Sequence, residues 1–192
     1  MPRTKSYDND IVLERAMNVF WDKGYEATSI RLLEKEMGIN QFSIYSSFYN
    51  KKRLFIESIR RYRDHVKNNV YHTLLREDAG MKELEQYLYK SAGKKRAPAT
   101  SRGCLVVNTA AEIGGGDAEI AAEVNGYFNF IKDVLKKVLR TAVEKGEISA
   151  DTDIEKQSAF FLGVMQGLSV ASKTMDPEQL SDIVSVAVKQ IK

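Results

Sequence analysis

Between Gly38 and Lys51 the chain reads GINQFSIYSSFYNK. Gln41, Ser43, Ser46 and Ser47 bring amide and hydroxyl groups, while Phe42, Ile44, Tyr45, Phe48 and Tyr49 bring apolar or aromatic bodies. A core helix has no use for so many hydrogen-bonding groups, and a plain solvent face has none for so many rings. A glutamine amide donates and accepts at once, as the major-groove edge of adenine requires, and a phenyl ring packs on a thymine methyl. Tyrosine and serine hydroxyls suit phosphate oxygens. Lys51 adds a cation at the head of a following helix, where free backbone N–H groups also favour an anion. The chemistry on offer is recognition of a nucleic acid, with Gln41, Phe42 and Ser43 toward bases and Tyr45, Ser46, Ser47 and Lys51 toward phosphates. The same spacing also suits an ordinary pair of packed helices with Ile44, Phe48 and Phe55 as their core.

Those side chains need a scaffold. Helical spacing recurs along the chain and long alternating β-branched runs are missing, so the expected fold is all-α, with about nine helices. The first runs over about Asn9–Lys23 and stops at Gly24. Thr28 and Ser29 offer an N-cap to a short second helix that ends near Met37, and Gly38 can take the left-handed turn beyond it. Asn40 caps a third helix, Gln41–Phe48. Asn50 caps a long fourth helix reaching about Arg76. Short helix, glycine turn, short helix is the helix-turn-helix pattern, whose second helix enters the major groove. Beyond it the spacing predicts helices over Met81–Ala92, Cys104–Ile113, Asp117–Lys145 and Ile154–Lys173, and a last one from Pro177 almost to the C-terminus. A basic loop, Gly93–Gly103, and a glycine run, Gly114–Gly116, separate some of them. The chain divides into a helix-turn-helix domain, 1–50, and a helical ligand-binding and dimerisation domain, 51–192.

Composition sets outer limits. The 192 residues are 43% hydrophobic and 29% charged, with no apolar run near the roughly 20 residues of a membrane span. The N-terminus lacks the apolar core of a signal peptide. One cysteine, Cys104, allows no intrachain disulfide and fits a reducing cytoplasm. Residues 1–67 hold 13 Lys/Arg against 9 Asp/Glu, while the remainder holds 16 against 17. The basic front points to an anionic partner for that part alone. Arg3 and Lys5 could reach a backbone or minor groove; a solvated tail is the simpler reading.

Phe20, Gly24, Tyr25, Thr28–Ser29–Ile30 and then EKEMGINQFSIYSSFYNKKRLF resemble the N-terminal domain of the TetR (tetracycline-repressor-like) family of transcription regulators. The resemblance covers about residues 10 to 56. It implies a homodimeric, all-α repressor whose first three helices bind double-stranded operator DNA and whose fourth links them to a small-molecule site. By family position Tyr45 and Lys51 are expected phosphate contacts, Gln41 to Ser43 face the groove, and Thr28 and Arg31 join the DNA-binding set. Two positions depart from the family: Ser47 stands where His is frequent, and Phe42 where a small residue is frequent.

The remainder offers three further sets. Ala159, Gly163, Gly167 and Ala171 recur at every fourth residue, a stripe that lets helices approach closely. With Leu180, Ile183, Val184 and Ala187 of the last helix they would form a four-helix dimer interface; the alternative is close packing inside one protomer. Tyr87, Tyr89, Val107, Tyr127, Phe128, Ile131, Phe161 and Met165 could line a pocket, with Asn108, Asn125 and Gln166 as polar anchors. SRGCLVVNTAAEIG resembles a segment of the N-ethylmaleimide- and electrophile-responsive branch, some of whose members sense by a cysteine. Cys104 near a helix start, with Arg102 beside it, is the sensor candidate, against the alternative of a small buried core residue.

His65 and His72 lie seven apart but have no carboxylate or cysteine in register, so no metal site is expected. No catalytic triad, phosphate loop or paired acids stand out, so neither enzyme activity nor a cofactor is expected. A DNA-binding regulator and a helical interaction protein that ignores DNA remain the two functional readings.

Overall fold

The computed structural model describes residues 7–93 and 102–191. Arg3, Lys5 and most of the basic loop lie outside that range. Among the described residues there are nine helices and no strand. They are α1 (Asn9–Lys23), α2 (Ile30–Met37), α3 (Gln41–Phe48), α4 (Lys51–Asn69), α5 (Met81–Ala92), α6 (Leu105–Glu112), α7 (Ala118–Glu144), α8 (Ile154–Ala171) and α9 (Pro177–Lys189).

Local chemistry sets the first boundaries. The side chains of Asp8, Ser29, Asn40 and Asn50 accept the N–H groups of Asp10, Leu32, Ser43 and Arg53 at the starts of α1 to α4. Gly38 closes α2 in the left-handed conformation, at φ 72°. Of the two capping candidates, Ser29 caps. Thr28 is fully buried and its hydroxyl donates to the Gly24 carbonyl at 2.6 Å. It braces the turn from inside, so it is withdrawn from the DNA-contact set.

The head is built on rings. Phe20 meets Phe55 at 4.8 Å between centroids, and Tyr25 meets Phe55 at 4.9 Å. Leu33, Met37, Ile44 and Leu54 fill the space around them and are wholly buried. Since Leu54 and Phe55 belong to α4, the first turns of that helix share the head's core.

Helix α4 ends at Asn69, short of Arg76. The carbonyl of Val66 takes the N–H of both Val70 and Tyr71, at 2.9 Å each, and a run of turns follows. Tyr71 and Leu74 still point inward from those turns, which preserves the helical spacing of apolar residues past the true end. His72 therefore lies beyond the helix that carries His65, and both are exposed.

Helix α7 is the central post, packed against α4, α5, α6 and α8, while α9 lies against α5 and α8. That placement corrects the α9 part of the expected dimer interface. Leu180, Val184 and Ala187 are buried inside the protomer, because the apolar stripe of α9 faces its own α5.

Candidate functional site

Ile44 and Phe48 anchor α3, so its other side must face out. Gln41, Phe42, Tyr45 and Ser46 occupy that face at spacings that share one side of a helix. Phe42 is 81% exposed, an apolar ring left in water on a short, fixed helix. Ser43 and Ser47 are half-buried. The Tyr7 hydroxyl donates to the Ser43 carbonyl at 3.2 Å and lies 2.7 Å from the Ser47 hydroxyl, which secures the back of α3. Ser47 is thus occupied by Tyr7. The backbone N–H of Gln41 donates to the Glu34 carboxylate, tying α3 to α2. Arg31 is exposed on α2. Lys51 stands half-buried with its ammonium 4.3 Å from the centre of the Tyr25 ring. Tyr49, absent from the expected set, is 82% exposed and the single described non-glycine residue at positive φ, 66°.

Lys52, next to Lys51, turns the other way. Its ammonium meets Glu119 at 2.6 Å and Asp117 at 3.3 Å, while Arg60 meets Glu123 at 2.5 Å. These pairs strap α4 to α7. The Lys52 hydrogen bond holds the Glu119 carboxyl below its usual range, and the Ile120 N–H does the same for Asp117. The strap is intact at neutral pH and loosens only as pH falls through those lowered values.

A second connection runs through α6. The Glu112 carboxylate accepts the N–H groups of Tyr25 at 3.0 Å and Glu26 at 2.8 Å, in the turn between α1 and α2. On the other side of α6, Arg102 pairs with Asp22 at 2.6 Å and donates to Asn18 at 2.9 Å. Its guanidinium lies 5.4 Å from the Trp21 ring, and the Trp21 indole N–H donates to the Gly103 carbonyl at 3.2 Å. Gly103 has φ 66°, and a Cβ there would come within 2.8 Å of the Ser169 carbonyl, so only glycine fits between α1 and α8. The region around α6 therefore grips the head at two points. Glu112→Gln keeps one carbonyl acceptor for two N–H donors. It is expected to weaken the turn by about 1 kcal/mol, read as faster hydrogen exchange at the Tyr25 or Glu26 amide. Unchanged protection at both would dismiss the grip.

A cavity of about 150 Å³ lies behind that grip. Tyr87, Cys104, Val107, Tyr127, Phe128, Ile131, Met165 and Gln166, all expected from sequence, line it. Tyr89, Phe161, Asn108 and Asn125 do not. Phe161 is fully buried beside Phe160, and Asn108 bridges the Arg102 carbonyl and the Lys173 ammonium. Three aromatic walls escaped the sequence reading. Tyr62 was legible from its register with Ile59 and Val66. Tyr71 was assigned to a helix that has already ended, and nothing local marks Trp21, because its partners Arg102 and Gly103 are remote in the chain. Cys104 is half-buried at the N-cap of α6, its N–H donating to Ser169 at 2.7 Å. No cluster of His, Cys, Asp or Glu suited to a metal occurs among the described residues.

On α8, Ala159, Phe160, Gly163, Gly167 and Val170 are exposed along one face, with Ala171 half-buried beyond them. A Cβ at Gly163 or Gly167 would meet nothing within 4 Å, so packing within the protomer does not require glycine there. From α9, Val186 is 59% exposed and Ile183 half-buried. The face open to a second copy is α8 with this edge of α9.

An exposed reading helix, a gripped head and a partly open helical cavity define a DNA-binding regulator. Residues 12–57 match the bacterial regulatory proteins of the tetR family, and residues 80–188 match the tetracyclin repressor-like C-terminal domain. The chain belongs to the tetR family of transcriptional regulators. It is 29% identical over 191 residues to the HTH-type transcriptional regulator YezE of Bacillus subtilis (strain 168), covering 98% of each chain. It is 27% identical over 172 residues to the HTH-type transcriptional repressor ComR of Escherichia coli (strain K12), covering 89% of this chain and 82% of that one. A cysteine mutant of the TetR-family regulator CifR, solved with a 26-base-pair double-strand operator, superimposes with a TM-score of 0.86 at 27% identity, covering 99% and 100% of the two chains. The reading as an interaction protein without DNA falls away. These relatives are transcriptional regulators, a non-enzymatic role. No helix among the described residues is long and apolar enough to cross a membrane.

Proposed function

We propose that this regulator is a repressor that holds a palindromic operator with the outward face of α3 and releases it when a small molecule fills the cavity beside Cys104. The carrying observation is that α3 exposes Gln41, Phe42, Tyr45 and Ser46 on one side while its other side is anchored in a core. Lys51 adds charge next to that face. The chain works as a homodimer on double-stranded DNA, with residues 1–50 reading and 51–192 dimerising and sensing. It operates in the cytoplasm and involves no catalytic step. The operator-bound form of the CifR mutant supports this reading.

An occupant of the cavity presses on Trp21 and Gly103, and so on Arg102 and α1. The two heads must sit about 34–36 Å apart to enter successive major grooves. A ligand that prefers a different spacing lowers operator affinity by its difference in affinity for the two states. Fluorescence anisotropy on palindromic duplexes selected from a random pool tests the reading. Binding of one dimer per palindrome, falling steeply with salt, is expected. Binding insensitive to both palindrome and salt would refute it.

Phe42 is the expected specificity residue. Phe42→Ala should weaken the selected operator by about 1–3 kcal/mol and leave non-specific DNA unchanged. Equal loss on both kinds of DNA would instead mark Phe42 as a backbone contact.

A second reading of the trigger is covalent capture at Cys104, favoured by its half-buried place on the cavity wall. Mass spectrometry after mild electrophile treatment decides it. An adduct at Cys104, with release abolished in Cys104→Ser, supports it; release retained in that variant rejects it.

A further inference from the structure

The described lining of the cavity holds no lysine, arginine, aspartate or glutamate. Its buried polar residues are phenols: Tyr62 from α4, Tyr71 from the turns beyond it and Tyr127 from α7, with the half-buried Tyr87 of α5 beside them. Burial pushes all four well above, or above, the usual tyrosine value. Those shifts gauge what a negative charge costs in this space. A carboxylate or phosphate would bear the same desolvation, and the one basic side chain in the described lining is the solvent-exposed His65. A cation finds no carboxylate there either.

The hydroxyls of Tyr71 and Tyr127 lie 3.1 Å apart. Two phenols bring two O–H groups, and their mutual contact uses one. With Tyr71 donating to Tyr127, the Tyr127 O–H is left for another acceptor. The Cys104 thiol donates to the Tyr127 oxygen at 3.7 Å, and its sulfur would accept from the phenol only weakly. A carbonyl oxygen takes that proton better. Around this donor the walls are flat or apolar, with the Trp21 and Tyr62 rings 4.9 Å apart and Phe128 5.8 Å from Tyr127.

We propose that the cavity takes an uncharged ring compound carrying a carbonyl-type acceptor, which receives the Tyr127 O–H while its ring packs among Trp21, Tyr62 and Phe128. This rests on the reading of the cavity as the effector site. Four phenyl probes of similar size separate the terms: acetophenone, ethylbenzene, benzoate and phenyltrimethylammonium. In calorimetric titrations of the full-length protein, acetophenone should bind about 5-fold more tightly than ethylbenzene, the worth of one added hydrogen bond. It should exceed both ions by about 10-fold or more. Tyr127→Phe should weaken acetophenone about 5-fold and leave ethylbenzene within about twofold, which separates the loss of one O–H from collapse of the cavity. Benzoate or the ammonium probe binding more tightly than acetophenone overturns the proposal. So does Tyr127→Phe weakening both neutral probes alike, or the absence of binding by all four. Operator anisotropy without any probe is read alongside. Failure there defeats the repressor reading, while the order of the four probes still decides the ligand class.

Discussion

Tyr45→Ala combined with Lys51→Ala should lower operator affinity roughly 1,000-fold. Each of about four phosphate contacts, two per subunit, contributes about 1 kcal/mol. The loss should be uniform across sequences, since phosphates carry no base identity. The slope of log affinity against log salt should fall by about 2, one for each lysine of the dimer. The protein should stay folded. Tyr45 is 38% exposed, and Lys51 gives up only its approach to the Tyr25 ring at 4.3 Å, worth about 0.5–1 kcal/mol. Full helicity by circular dichroism with DNA affinity and salt slope both unchanged would mean that another surface reads the operator.

Gly167→Leu should give a folded monomer that no longer holds the operator. Apart from its own helix, nothing in the protomer lies within 4 Å of the added Cβ, so the side chain starts into open space. Replacing a mid-helix glycine also favours the helical backbone by up to about 1 kcal/mol. On the outward face of α8, however, a leucine stands where a second copy would approach most closely. A single head lacks the effective concentration that linkage gives its twin, a loss of about 10²- to 10⁴-fold. Light scattering should report the monomer mass at concentrations where the parent chain is dimeric, with helicity retained. A dimer that keeps its operator affinity would move the interface away from α8.

The legible parts of this molecule were local in sequence. Asn40, Asn50, Gly24 and Gly38 mark helix ends through chemistry that each residue carries with it, and the last residues of α1 and α2 and the first residues of α3 and α4 fall where those residues place them. The α3 face was legible for the same reason, because its outward and inward positions alternate at helical spacing. Failures came where spacing persists without the element or where a partner is distant. Tyr71 and Leu74 continue the inward rhythm of α4 through turns that are no longer helix. The apolar stripe of α9 satisfies α5 or a second subunit equally well on paper, and only packing shows that Leu180, Val184 and Ala187 serve α5. Thr28 and Ser29 are both capping residues by type, and burial alone separates them. The grip of Arg102 on α1 and of Glu112 on the turn after it joins segments more than 75 residues apart, and no periodicity encodes it.

Trp21 belongs to the DNA-binding head by its helix and to the proposed effector cavity by its side chain. The wall it supplies cannot be reshaped for a new ligand without reseating α1. Drift in effector preference is therefore freer at Phe128 or Met165, which touch the cavity from α7 and α8. A lineage that changed position 21 would alter what it senses and how it sits on DNA in one step, so its operator would have to change with its ligand.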